Sequence, residues 1–75
     1  LLLDRLKKLR RDLAQARSVP AYVIFSDRSL QEMARCQPRT MEEFGDIHGV
    51  GEAKLRDLAK IFLSAIAEED AFAKM

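Results

Sequence analysis

Ile47-His48-Gly49-Val50-Gly51-Glu52-Ala53-Lys54-Leu55 sets two glycines, one residue apart, between two segments whose apolar residues recur at helical spacing. Gly49 is placed as the left-handed residue that stops the preceding helix, and Gly51 as one that lets the backbone turn sharply into the next. On the N-terminal side, Thr40 with Glu43 three residues later is a capping box that starts a helix from about Met41 to Ile47. Its apolar face is Met41, Phe44 and Ile47. On the C-terminal side, Leu55, Leu58, Ala59, Phe62, Ala65 and Ile66 form the buried stripe of the following helix. Glu68-Glu69-Asp70 then fall where a C-terminal dipole disfavours negative charge, so either a break there or a short fifth helix around Ala71 to Met75 is expected.

Upstream, Leu2, Leu6, Leu9, Leu13 and Ala16 recur at spacings of four and three and define one face of a first helix of about sixteen residues. Ser18-Val19-Pro20 ends it, because Pro20 restricts the residue before it and lacks a backbone donor. Ala21-Tyr22-Val23-Ile24-Phe25 has the composition of a strand, yet nothing else in the chain reads as a strand to pair with it. It is expected to be a buried connector or a short helical turn. Ser26 is an N-cap, with Phe25 before it and Leu30 after it placed as a hydrophobic staple. The helix it starts runs from about Asp27 to Cys36 and buries Leu30, Met33 and Ala34. Pro38 breaks it.

These elements make an all-α bundle of four to five short helices, with a helix-hairpin-helix-like Gly-Val-Gly turn. The 75 residues suffice for one domain, residues 1–75, with one modest core. At 48% apolar and 33% charged, the chain is too apolar for a disordered tail. No apolar run approaches the ~20 residues that span a bilayer, and no signal peptide is recognisable. No membrane association is expected, and the domain is expected to be a cytoplasmic monomer. A single cysteine, Cys36, and a single histidine, His48, cannot form a disulfide or supply a structural zinc site. No metal or other cofactor is expected. The opening Leu1-Leu2-Leu3 reads as part of a helix, so the chain is expected to be a piece of a longer protein.

The net charge of +1 conceals an uneven distribution. Residues 1–35 hold eight cations against four carboxylates, a balance of +4, and residues 36–75 hold five against eight, a balance of −3.

The basic first helix, the block VPAYVIFSDRSL at residues 19–30 and the later Ile47 to Leu55 stretch together resemble the HRDC domain, whose name stands for helicase and RNase D C-terminal. Two blocks in the family's order and separation carry the likeness over residues 2–68. The resemblance implies a five-helix bundle without an active site of its own. It implies an auxiliary nucleic-acid-binding or regulatory role near the C-terminus of a RecQ-type DNA helicase or an RNase D-type exonuclease. The style of the first block favours a bacterial RecQ-type parent, an ATP-dependent enzyme of DNA repair and recombination, and hence a nucleoid-associated location.

Three features are candidates for a binding site. Backbone N–H groups at Gly51, with the helix dipole and Lys54 one turn in, could hold a phosphate, or the glycines could simply permit a tight turn. Glu52 occupies the same favourable potential as a phosphate would. Tyr22 is the only tyrosine. The resemblance implies an aromatic that stacks on single-stranded DNA, and the alternative is a ring packed into the core with its hydroxyl at the surface. Lys7, Arg10 and Arg17 on one flank of the first helix, with Lys8 and Arg11 on the other, make a basic face. That face either tracks a phosphate backbone or is simply solvated. Cys36 and His48 lie in different elements with no orienting third group, so a nucleophile and base pair is not expected.

Two functions follow from these residues. One is weak binding of single-stranded or junction DNA through Tyr22, Lys54, Gly51 and the cations Lys7, Lys8, Arg10 and Arg11. The other is a protein-interaction or interdomain role for the acidic surface of Glu42, Glu43, Asp46 and Glu52, with the tail at Glu68-Glu69-Asp70. Its partner would be a basic protein surface, such as the parent's own helicase core.

Overall fold

Helix α1, Leu2–Arg17, turns one leucine-rich side inward and leaves the rest to water. A computed structural model describes residues 1–73 and contains five helices and no strand among them: α1, α2 (Ala21–Ile24), α3 (Asp27–Cys36), α4 (Met41–Gly45) and α5 (Glu52–Ala73). Leu6 is fully buried, and Leu2, Leu3, Leu9 and Leu13 are half-buried against the same core. The inward face closes on Ala14, whereas Ala16 is exposed. The helix rotates slightly from the expected stripe because Leu3 and Ala14 also seek the core.

Ser18 ends α1 in the left-handed region at φ 56°. Its N–H bonds the Gln15 carbonyl at 3.2 Å and the Val19 N–H bonds that of Ala14 at 3.0 Å, a Schellman-type closure built without glycine. Pro20, at φ −62° and ψ 151°, then serves as the N-cap of α2. The strand-like residues 21–24 therefore form one helical turn, with Ile24 buried beside Phe25. Ser26 caps α3, its Oγ accepting from the Ser29 N–H at 3.2 Å, and Phe25 and Leu30 on either side are both fully buried.

Thr40 Oγ1 accepts from the Glu43 N–H at 3.1 Å, as the capping box requires. The reciprocal arm reaches one residue further back, Glu43 Oε1 accepting from the Arg39 N–H at 2.9 Å. Helix α4 is shorter than its expected span. It ends at Gly45, and Ile47 is buried from the turn that follows. Met41 is 41% exposed and is not part of the buried face, because the first turn of so short a helix projects past the core.

Gly49 has φ +83°, and a β-carbon there would stand 2.6 Å from Ser29 Oγ. Gly51 has no left-handed φ, and nothing lies within 4 Å of where its β-carbon would be. Only the first glycine is demanded by the turn.

Helix α5 continues through Glu68-Glu69-Asp70 without the expected break. Arg5 pairs with both Glu68 and Glu69, and Arg39 pairs with Asp70 at 3.1 Å, so the carboxylates are compensated by cations from other parts of the chain. The fifth helix of the bundle is the turn at residues 21–24, not a C-terminal one; residues 74 and 75 of the expected C-terminal segment lie outside the described residues.

Three phenylalanines meet within the core. Phe25 meets Phe62 edge to face at 5.0 Å and Phe44 at 6.0 Å, with Phe44 and Phe62 at 6.4 Å. Each comes from a different part of the chain, so the cluster ties α2, α4 and α5 together. Helix α1 covers α2, α3 and α5, and α4 packs on α5.

Candidate nucleic-acid interface

Proline at the N-cap and the extended backbone at Phe25 leave α2 as a single protruding turn. Its inward residue is Ile24; its outward residues are Tyr22, 72% exposed, and Val23. Of the two readings of Tyr22, the structure excludes the core ring.

Beside this turn lies a groove of about 250 Å³ between the end of α1, α2 and the first turns of α5. Val23, Ile24, Ala53 and Leu58 supply apolar lining, and Arg17 and Lys54 line it as cations. Lys54 is half-buried, with Nζ 5.3 Å from the centre of the Phe25 ring. That cation–π contact, typically ~0.5–1 kcal/mol where exposed, biases Lys54 toward the α2 turn.

Arg10 is placed otherwise than its position in the basic run suggests. Its side chain is only 14% exposed; Nη1 donates to the Phe25 carbonyl at 3.1 Å and pairs with Asp27 at 2.8 Å. Its Nε is buried without a partner. Arg10 is thus a brace between α1 and the α2–α3 junction, and is not presented to a phosphate backbone. The signal missed in the sequence is its position: Arg10 lies one turn beyond Leu6 and one before Ala14, on the buried side of α1. Arg10→Met is expected to lower stability by about 1–2 kcal/mol, the lost charged hydrogen bond being partly offset by removal of the unpartnered Nε. In a DNA titration it should leave the salt dependence unchanged, since no phosphate contact is lost.

Lys7, Lys8 and Arg11 are exposed on α1 and make no ion pair with described residues, as does Arg17 at its end. Gly51 is exposed at the start of α5, with Glu52 exposed immediately after it. Glu42, Asp46 and Glu52 are exposed, while Glu43 is held by the Arg39 N–H. The tail carboxylates are matched within the chain by Arg5 and Arg39, so they are not an open acidic surface.

His48 contributes backbone. Glu32 accepts its N–H and Ser29 Oγ donates to its carbonyl at 2.5 Å, so α3 grips both backbone groups of one residue in the hairpin. Cys36 is exposed and free, and among described residues no cluster of three or more His, Cys, Asp or Glu could hold a metal. No described helix is long and apolar enough to cross a membrane.

A five-helix bundle that presents an aromatic turn and free cations defines a small helical accessory module. The chain belongs to the HRDC family, whose domain model matches residues 1–66. It is 42% identical over 67 residues to the ATP-dependent DNA helicase RecQ of Pasteurella multocida, covering 89% of this chain and 11% of that protein. The RecQ of Bacillus subtilis is 39% identical over 74 residues, covering 99% of this chain and 12% of the helicase. The solved HRDC domain 3 of D. radiodurans RecQ superposes with a TM-score of 0.83 at 34% identity, covering 87% of this chain and 86% of that one. The chain is therefore an accessory, non-catalytic domain of the kind carried by RecQ helicases. It spans about a tenth of the curated helicases' length.

Proposed function

We propose that this domain is an auxiliary DNA-binding module of a RecQ-type helicase, which contacts single-stranded or junction DNA weakly and so positions or regulates a motor elsewhere in the parent. The supporting observation is the Tyr22 ring, 72% exposed on a one-turn helix. A base stacked on such a ring is worth ~1–3 kcal/mol irrespective of sequence. Lys7, Lys8 and Arg11 supply phosphate contacts along α1, and Lys54 supplies one beside the α2 turn. Gly51 contributes less, because Glu52 competes with a phosphate for the same helix terminus. With a net charge of +1 the domain lacks a strong attractive field, so affinity at physiological salt is about micromolar or weaker.

Fluorescence anisotropy with labelled single-stranded DNA, at low and at physiological salt, tests this reading. Tyr22→Ala should weaken binding by about 5- to 150-fold at an unchanged salt slope, and should leave the fold intact because the ring is in solvent. Lys8→Ala should reduce the slope by roughly 0.7. No binding at low salt would overturn the proposal.

A second reading, an interdomain or protein-interaction surface at Glu42, Asp46 and Glu52 with Glu43 beside them, is supported by exposed carboxylates that no described cation neutralises. Charge reversal at Glu42 and Asp46, which leaves the Glu43 cap in place, should then disturb DNA-dependent ATPase control in the full-length protein while DNA binding by the domain is unchanged.

A further inference from the structure

We infer that the groove beside α2 seats the base next to the one stacked on Tyr22, so that the turn and groove together read two adjacent nucleotides. The inference rests on the DNA-binding reading above and extends it from one residue to a site. Tyr22 and Val23 are consecutive, both exposed on the same turn, and Val23 lines the groove. The backbone that presents the ring therefore also forms the groove wall. Ile24, Ala53 and Leu58 continue the apolar lining, and a volume of about 250 Å³ admits a single nucleobase.

Charge selects the kind of occupant. Arg17 and Lys54 line the groove from different helices, and Asp57, its one carboxylate, is paired with Arg56 Nε at 3.3 Å. An apolar slot between two cations matches a flat base with its own phosphate. The Phe25 ring favours Lys54 at this wall, so one of the two cations is partly ordered before anything binds. The lining offers no ring of hydrogen-bonding groups, so the second base is taken by shape and apolar contact, without strong sequence preference.

The test fills the groove without touching Tyr22 or any charge. Ala53 is exposed and lines the groove from the first turn of α5, so Ala53→Leu adds volume there without a cost to the core. The probes are a labelled oligothymidylate and the same oligomer with every second base replaced by an abasic site. Ala53→Leu should weaken binding to the full oligomer at least about fivefold. The unsubstituted domain should lose a similar factor on the alternating abasic probe, and on that probe Ala53→Leu should have no further effect. Methyl resonances of Val23 and Leu58 should shift as the oligomer is added, and the same spectrum reports whether the variant is folded.

If Tyr22→Ala weakens binding while Ala53→Leu and the abasic probe behave as the parent pair does, the groove is not a base site, and the Tyr22 contact stands without it. If the domain binds no DNA at low salt, both fail together. Methyl shifts produced by an acidic, apolar peptide and not by the oligomer would reassign the groove to a protein partner.

Discussion

Gly49→Ala is expected to lower the stability of the domain by about 2–5 kcal/mol, measured by chemical denaturation. A left-handed backbone costs a residue with a β-carbon roughly 1–2 kcal/mol. The new methyl would also stand 2.6 Å from Ser29 Oγ, which must then release the His48 carbonyl. Ser29 is almost fully buried, so a hydroxyl displaced from its partner adds a further ~1–3 kcal/mol. Gly51→Ala, two residues on, is expected to be neutral or to stabilise by up to about 1 kcal/mol, since it meets nothing and reduces the freedom of the unfolded chain. Equal losses at the two positions would contradict the assignment of the turn's strain to Gly49.

Phe25→Ala should be at least as damaging, at about 3–5 kcal/mol. The ring is fully buried and is the member of the aromatic cluster nearest to both others, at 5.0 Å from Phe62 and 6.0 Å from Phe44. Its loss also removes the surface under Lys54. Domains of this size hold a total stability near the lower end of ~5–15 kcal/mol, so thermal unfolding of the variant should begin close to ambient temperature. Phe25→Leu, which retains most of the volume, should recover a large part of the loss.

Helix boundaries were legible wherever a cap or a proline spoke locally. Ser26 and Thr40 start their helices through hydrogen bonds to residues three positions on, so each start is encoded within four residues. The run of residues 21–25 could be narrowed to a connector or one helical turn, because no partner strand was available to it. The exposure of Tyr22 was not legible. Whether that ring faces solvent or core depends on which side of α2 meets α1, and a four-residue helix carries too little periodicity to say. The course of α5 through its three carboxylates was hidden for a different reason. Arg5 lies sixty-three positions from Glu68, a separation over which no local pattern operates. Arg10 shows the same limit, since a cation in a basic run is indistinguishable in sequence from one folded inward onto a carbonyl.

The Arg5 pairing has a geometric consequence for how such a domain is carried. The first turn of α1 and the last turns of α5 are fastened to each other, so α1 begins and the described part of α5 ends at one pole of the bundle. Helix α1 is sixteen residues long, so its far end, from which the chain turns into α2, lies about 24 Å from that pole. A domain tethered at that extremity and carrying the proposed DNA contact at the other would act as an arm. A small swivel at the attachment becomes a large sweep of Tyr22, and the length of a connecting linker would set where along a nucleic acid the arm can touch down.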